Sequence, residues 1–212
     1  MIILVQGADK FRYNRLITEM FRLRASVFDE RLGWDVNVVD GMEMDQFDRV
    51  NPLYLLSVND NGVLRGSLRL LPTTGPNMLR DVFPELMDGS EPVCSPIIWE
   101  STRFCVSSEA ASERTANRLN YTTAELLAGI VEVGQLAGLD WVASVYDARM
   151  KRVLRNAGCP AVEIGTPTRI GKVMTYAGLF AIEDEMLGRI REVAGIEGSV
   201  LEQNSAEMLM AA

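Results

Sequence analysis

The chain has 212 residues, 48% hydrophobic and 24% charged, which is typical of a soluble globular protein of one domain. Its net charge of -8 argues against a nucleic-acid-binding protein, and the absence of histidine excludes histidine-based triads, metal ligands and general bases. The three cysteines form no CxxC motif, which predicts reduced thiols in a cytoplasmic protein. Four apolar residues after Met1 are too few for a signal peptide, and no apolar run could span a membrane.

Hydrophobic periodicity and turn residues predict an α/β (α+β) protein with a mixed central sheet flanked by helices. Strands are predicted at 2–5, 54–58, 63–71, 97–106, 141–146, 161–166 and 172–178, and helices at about 10–28, 113–137, 149–156 and 182–193. The Asn-Asp-Asn-Gly turn at 59–62 predicts a hairpin, and the charged stretch 29–52 a long ordered loop. We expect one domain over 1–212 with a loose acidic tail after about residue 198.

The first predicted helix and the loop after it contain one arginine, two aromatic residues and two carboxylates: Arg24, Phe28, Trp34, Asp45 and Asp48. Arg24 and Phe28 are four residues apart and share a helix face. Carboxylates bind ammonium groups, arginine binds a carboxylate through paired hydrogen bonds, and aromatic faces attract cations. The set suits a zwitterionic, cationic small molecule, although a solvated charged loop with two aromatic core residues has the same composition.

One predicted strand carries Glu100 and Arg103, which a regular strand places on opposite faces. They can act together only if a bulge redirects one of them. A glutamate among apolar residues has a raised pKa, which suits a general base, whereas the alternative is an ion pair on an edge strand. Arg69 lies in an apolar strand and needs a carboxylate partner, which Asp45, Asp48 or Glu100 could supply in either a structural or a functional role.

A cluster of basic residues on one short predicted helix stands out in an acidic chain: Arg149, Lys151, Arg152 and Arg155. Such a cluster attracts an acidic partner or phosphate groups through steering and contact pairs. A solvated helix face is the alternative.

Several segments, in order and spacing, resemble the acyl-homoserine-lactone synthase family, the autoinducer synthases of bacterial quorum sensing. They are FRLR at 21–24, VF at 27–28, RLGWDV at 31–36, GMEMDQFD at 41–48, SLR at 67–69, DVF at 81–83 and ESTRF at 100–104. The family's functional positions fall on Arg24, Phe28, Trp34, Asp45, Asp48, Arg69, Glu100 and Arg103, with none missing.

The resemblance implies a fold like the GNAT-type N-acetyltransferases and two substrates, S-adenosylmethionine and a fatty acyl thioester carried by acyl carrier protein. It implies neither a cofactor nor a metal. The pyrophosphate-binding loop of general acetyltransferases is not evident, because its nearest counterpart at 118–124 lacks both glycines. This departure favours a phosphopantetheine arm on a protein donor over coenzyme A.

On this resemblance, Glu100 is the candidate base, acting through a water molecule, and backbone N–H groups at a bulge hold the thioester oxyanion. Asp45 and Asp48 orient the loop and the ammonium or ribose. Arg24 and Arg103 hold a carboxylate or fix the acidic residues. Phe28 and Trp34 pack against the sulfonium.

The acyl chain is expected between the central strands and the long helix. Its expected lining is Leu126, Ile130, Trp141, Val145 and Met150, with Ser144 placed to read a 3-oxo or 3-hydroxy group and with Ala124, Ala128 and Gly129 leaving room for a long chain. Two alternatives remain open from the sequence: an N-acyltransferase acting on another amine, and a non-catalytic module that binds acyl carrier protein.

Overall fold

The computed structural model describes residues 1–112 and 119–205. Its strands are β1 (Ile2–Gln6), β2 (Val38–Val39), β3 (Met42–Glu43), β4 (Leu53–Val58), β5 (Leu64–Pro72), β6 (Ile98–Val106), β7 (Trp141–Asp147), β8 (Val162–Ile170) and β9 (Val173–Ala181). Its α-helices are α1 (Asn14–Ala25), α2 (Met78–Asp81), α3 (Tyr121–Leu136), α4 (Ala148–Asn156) and α5 (Asp184–Ala194). The first part of the predicted helix 113–137, residues 113–118, lies outside the described residues, as does the start of the segment 118–124.

Seven strands form one sheet in the order β1-β4-β5-β6-β7-β9-β8, and β2 and β3 form a separate small hairpin. Neighbours in the large sheet are antiparallel except β6 and β7, which run parallel. The hairpin predicted around the turn 59–62 is confirmed as β4 and β5. The predicted long loop is ordered: it contains the β2–β3 hairpin, a π-helical turn at Ser26–Arg31 and a 3₁₀ turn at Gln46–Arg49.

Helices cover both faces of the sheet because successive strand residues point to opposite sides. In β4, Leu53 and Leu55 join the core formed with α3, α4 and α5, whereas Tyr54 and Leu56 pack against α1. The segment between β5 and β6 contains α2 and a 3₁₀ turn at Pro84–Met87. It packs on the α1 side of the sheet, against Val145 and Ala177. Helix α1 and the segment containing α2 therefore enclose the middle of that face.

The sheet opens between β6 and β7. The two strands pair only over Ile98–Ser101 and Trp141–Ser144, although each continues further in the described chain. At the last pair, the Ser144 hydroxyl donates a hydrogen bond to the Ser101 carbonyl oxygen at 2.9 Å. Beyond this pair β6 and β7 are not paired with each other in the described chain.

The segment 199–205 is packed rather than loose, contrary to the expectation for the tail after about residue 198. Ile2 N–H donates to the Val200 carbonyl at 2.7 Å and Glu202 N–H donates to the Ile2 carbonyl at 2.8 Å, so this segment runs along the free edge of β1. Glu132 of α3 holds it by accepting hydrogen bonds from Ser199 Oγ at 2.6 Å and from Val200 N–H. Residues 206–212 lie outside the described residues. In the part of the chain that is described, no helix is long and apolar enough to cross a membrane.

Candidate active site

A β-bulge in β6 decides which side chains face the site. Ser67 of β5 is opposite Cys105, and Arg69 is opposite Thr102, so β6 has one extra residue between these pairs. Arg103 adopts a φ of 54°, in the left-handed region that side-chain-bearing residues rarely occupy. The bulge turns Arg103 toward the face that carries Glu100 and Thr102. The assignment of Glu100 and Arg103 to opposite faces of a regular strand is therefore wrong, and the bulge that joint action required is present.

Asp48 is the centre of a buried ion-pair network. Its carboxylate accepts two hydrogen bonds from Arg24, both at 2.9 Å, and one from Arg69 Nη1 at 2.8 Å. Tyr54 Oη donates to it at 2.8 Å, and Asp45 N–H closes the turn by donating to it at 2.9 Å. Burial alone would raise the pKa of Asp48, but Arg24 and Arg69 hold it well below its usual range.

Two further acids complete the network. Glu43, which is fully buried, accepts from Arg24 Nε at 2.5 Å and from Arg103 Nη2 at 3.0 Å. Asp45 binds Arg69 Nη1 at 2.5 Å and Arg103 Nη2 at 2.8 Å. Three arginines thus face three carboxylates, which compensates each buried charge. Both aspartates bind arginines, and Asp45 N–H closes the turn onto Asp48, so they order the loop. Contact of either carboxylate with a ligand's ammonium or ribose stays a prediction.

Sequence reasoning did not single out Glu43. It lies in the stretch 41–48 among other acidic residues, where composition does not distinguish a buried acid from a solvated one. A count of charges gave no signal either, because Asp45, Asp48 and Glu100 already matched the three arginines of the set in number.

Phe28 and Trp34 form an aromatic wall beside Arg103. Their rings are stacked, with centroids 5.2 Å apart and an interplanar angle of 11°, and Arg103 Cζ lies 5.5 Å from the centre of the Phe28 ring. The π-helical turn after α1 brings them together, since Trp34 N–H donates to the Phe28 carbonyl oxygen at 2.8 Å. Phe28 is buried, whereas Trp34 is 40% exposed and forms the outer side of the wall. An aromatic surface next to solvent is suited to a cation that enters from outside.

Glu100 is a buried carboxylate with two backbone donors. It has no exposed surface, and it accepts hydrogen bonds from Met78 N–H at 2.8 Å and Leu79 N–H at 2.6 Å. Burial raises the pKa of Glu100 to about 7, against the opposing effect of these two hydrogen bonds. Met78 also connects Glu100 to the network, because its Sδ lies 3.3 Å from Arg103 Nη1 and 3.6 Å from Arg69 Nη2. A carboxyl group of this kind exchanges its proton near neutral pH, as a general base must.

The residues expected to line an acyl chain do not lie on one side of the sheet. Leu126, Ile130 and Met150 belong to the core under α3, whereas Val145 packs on the opposite face with Leu79 and Leu86. Trp141 and Ser144 lie in the paired part of β7. The expectation that Gly129 leaves room for a chain is wrong, because a side chain there would overlap Ile2 and contact Leu55.

The basic residues of α4 divide into two groups. Lys151 is bound within the protein, since its Nζ is 2.7 Å from a Glu163 carboxylate oxygen and 4.1 Å from the centre of the Tyr176 ring. Arg149, Arg152 and Arg155 are exposed and form no ion pair with other described residues. Helix α4 begins directly after the end of β7, so these three arginines lie next to the strand that borders the opening of the sheet.

Comparison with known proteins identifies the family. A model of the autoinducer synthase family matches residues 9–190. The chain is 40% identical over 179 residues to an acyl-homoserine-lactone synthase of Agrobacterium fabrum (strain C58), with 84% of this chain and 85% of that protein covered. The chain belongs to the autoinducer synthase family. It is an enzyme of the acyltransferase class, an acyl-homoserine-lactone synthase.

Solved structures agree with this assignment. A CoA-dependent acyl-homoserine-lactone synthase, MesI, superposes with a TM-score of 0.83 at 27% identity, covering 96% of this chain and all of that one. Another, BjaI, was determined with S-adenosylmethionine and isopentyl-CoA. It superposes with a TM-score of 0.84 at 24% identity, and the match covers 100% of this chain and 99% of that one. The two proteins therefore share the same fold. An acyl-CoA N-acyltransferase of Pseudomonas aeruginosa shares the fold at a TM-score of 0.52 and 17% identity, covering 85% of this chain and 99% of that one. The predicted mixed sheet of the GNAT-like acyltransferase type is confirmed.

Proposed function

We propose that this synthase makes an N-acyl-L-homoserine lactone for quorum sensing from S-adenosylmethionine and a fatty acyl thioester carried by acyl carrier protein. One observation carries the proposal: the bulge in β6 places Glu100 and Arg103 on one face, next to the Phe28–Trp34 wall and the opening between β6 and β7. A base, a cation and an aromatic surface thereby face the place where a thioester can enter the sheet.

The amine must lose a proton before it can react. A free α-amino group has a pKa of about 7.7–8.0, so most of it is protonated at neutral pH. Glu100, with a pKa of about 7, accepts that proton through a water molecule. The sulfonium lies against the aromatic wall. The methionyl carboxylate binds Arg103, which is the most exposed of the three arginines. Among the described residues, the one hydrogen-bond partner of its Nη1 is a weak acceptor, Met78 Sδ.

The acyl transfer follows in the opening of the sheet. The amine attacks the thioester carbonyl, the C–N bond forms and the C–S bond breaks. The second proton of the reacting nitrogen passes to the leaving thiolate, which departs as a thiol, and the first proton leaves Glu100 for solvent. Backbone N–H groups at the bulge stabilise the oxyanion. The methionyl carboxylate then attacks the carbon next to the sulfonium, and methylthioadenosine leaves as a neutral thioether. This step closes a five-membered ring, so correct positioning of the carboxylate supplies most of its acceleration.

The experiment is incubation of the purified chain with S-adenosylmethionine and either acyl carrier proteins charged with different acyl groups or the matching acyl-CoA thioesters. Methylthioadenosine together with a lactone supports the proposal. An amide without methylthioadenosine identifies an N-acyltransferase, and binding of the carrier protein without either product identifies a non-catalytic module. A lactone formed only from acyl-CoA would overturn the choice of donor and place the chain with relatives such as MesI.

The exposed arginines of α4 support the protein donor, because acyl carrier proteins are acidic and exposed arginines attract an acidic surface. Arg152→Glu is expected to raise KM for the acyl carrier protein about tenfold, since it replaces an attractive contact with a repulsive one. KM for the matching acyl-CoA should stay within about threefold. Arg22→Glu, an equal charge change on exposed α1 surface, serves as the control. Equal rises in KM for both donors would show that the helix does not recognise the carrier protein.

A further inference from the structure

The chain between β5 and β6 crosses the face of the sheet above Glu100. It turns at residues 73–77 and enters α2, whose first two N–H groups donate to the Glu100 carboxylate at 2.8 and 2.6 Å. These two hydrogen bonds are the contacts that fix the direction of the carboxylate. Their geometry depends on how firmly the start of α2 is held.

Asn77 holds that start. Its side chain is 1% exposed, and its Oδ1 accepts from Arg80 N–H at 3.0 Å, the N-cap interaction of α2. Its Nδ2 donates to the carbonyl oxygens of Thr73 at 3.2 Å and Gly75 at 3.0 Å. Both ends of the amide are therefore used inside one turn.

The turn at residues 73–77 is also hydrogen-bonded to the strand that carries Glu100. Thr73 Oγ1 lies 2.7 Å from the carbonyl oxygen of Ile98, at the start of β6, and 3.0 Å from that of Ser95, which precedes the strand. The carboxylate and its two donors thus belong to one connected unit, in which Asn77 is the link between the strand and the helix.

We propose that Asn77 is a positioning residue, which fixes the first turn of α2 so that the Met78 and Leu79 N–H groups hold the Glu100 carboxylate in its working orientation. This rests on the proposed function of Glu100 as the base. Loss of the Asn77 amide frees the turn, lengthens the two hydrogen bonds and leaves the carboxylate buried.

The charged and hydrogen-bonding groups around Glu100 determine how its pKa responds to the loss of Asn77. The charged groups around Glu100 are Arg69 from β5 and Arg80 and Asp81 from α2, and its neighbour on β7 is the uncharged Ala143. Hydrogen bonds from N–H groups favour the ionised carboxylate, while burial opposes it. With the bonds weakened and burial retained, the pKa of Glu100 rises further.

The test compares Asn77→Ala with Asn77→Ser, which keeps an oxygen acceptor for the cap but loses both amide donors. Asn59→Ala, which loses side-chain bonds in the β4–β5 turn, controls for general destabilisation. The Glu100 carboxyl is titrated by ¹³C NMR, with its signal assigned from Glu100→Gln, and the pH profile of kcat is recorded alongside.

For both Asn77 variants we expect the Glu100 titration midpoint to move from about 7 to about 8, which lowers kcat at pH 7 about fivefold because a smaller fraction of the base is ionised. At about pH 9 kcat should approach that of the unsubstituted protein, with KM for S-adenosylmethionine unchanged. The midpoint should stay near 7 in Asn59→Ala.

An unchanged Glu100 midpoint in a folded Asn77 variant, or a kcat reduced equally at every pH, overturns the positioning role. If Asn77→Ala does not fold, Asn77→Ser decides by the same criteria. The NMR titration does not depend on turnover. A shifted midpoint in a protein that forms no lactone would therefore support the role of Asn77 while overturning the proposed function.

Discussion

Glu100→Gln should lower kcat by about 10²- to 10⁴-fold while changing the dissociation constant of S-adenosylmethionine less than about threefold. The glutamine keeps the size of the side chain and one acceptor for the α2 N–H groups, but it cannot take a proton from the amine. Single-turnover formation of methylthioadenosine measures the loss, and calorimetric titration measures binding. The matched control is Glu85→Gln, an exposed acid in the same segment between β5 and β6, which should leave both quantities unchanged.

The pH profile provides a second measurement of the same group. Only the ionised carboxylate acts as a base, so kcat of the unsubstituted protein should rise as pH increases through about 7, and the residual kcat of Glu100→Gln should lack this rise. Because folding raises the pKa of Glu100, the buried neutral carboxyl contributes fully to the free energy of unfolding below about pH 4.5. This contribution is lost as pH rises through about 7. Glu100→Gln should therefore gain stability relative to the unsubstituted protein between pH 5 and pH 8. Equal losses in turnover and in S-adenosylmethionine binding would instead make Glu100 a binding residue.

The second large effect is expected from Asp48→Asn, which should reduce the free energy of unfolding by about 3–5 kcal/mol at neutral pH. The substitution removes the charge that faces Arg24 and Arg69 at 2.8–2.9 Å and points an amide N–H₂ at one of them. The two buried guanidinium groups then face less negative charge than they need to offset the cost of burial. Urea unfolding followed by circular dichroism measures the change. Glu185→Gln, which breaks an exposed ion pair with Arg189, should cost less than about 1 kcal/mol.

The effect of Asp48 should depend on pH in a defined direction. Arg24 and Arg69 hold the pKa of Asp48 far below its unfolded value of about 3.9, so its stabilising contribution is present above that value and is lost as pH falls below it. The difference in unfolding free energy between the unsubstituted protein and Asp48→Asn should consequently narrow below about pH 4. A difference that stays constant down to pH 2, or one below about 1 kcal/mol at pH 7, would show that the network does not depend on this charge.

The sequence was informative wherever the signal was local. The turn at 59–62 marks the β4–β5 hairpin, and alternating or helical hydrophobic patterns locate most of the strands and α1, α4 and α5. The side of the sheet faced by Arg103 was not predictable from periodicity, because its left-handed backbone conformation is imposed by the bulge and not signalled by a glycine. Helix α2 is only four residues long and has no periodicity, so the cover over Glu100 was not recognised.

The residues of the candidate site were easier to predict from the sequence than the contacts between them. Resemblance to the family brought together the right set around Arg24, Asp48 and Arg69, but their roles depend on distances that spacing does not give. Glu43 was missed because spacing does not show which acids of the loop are buried: Glu43 and Asp48 are, whereas Asp35 and Asp40 are exposed. Lys151 was grouped with the exposed arginines of α4, since spacing does not show that Glu163 of the following strand, β8, folds back against it.

The strand-like run of residues 199–202 along β1 also bears on how the protein behaves at high concentration. An uncovered edge strand is a template for pairing between chains, which leads to aggregation. At this end of the sheet, the Ile2 main-chain groups are satisfied from within the chain, and at the other end β8 is interrupted by a register shift that includes Pro167. A truncated protein that ends before residue 199 would expose an apolar template at β1 and should precipitate where the longer chain stays dispersed.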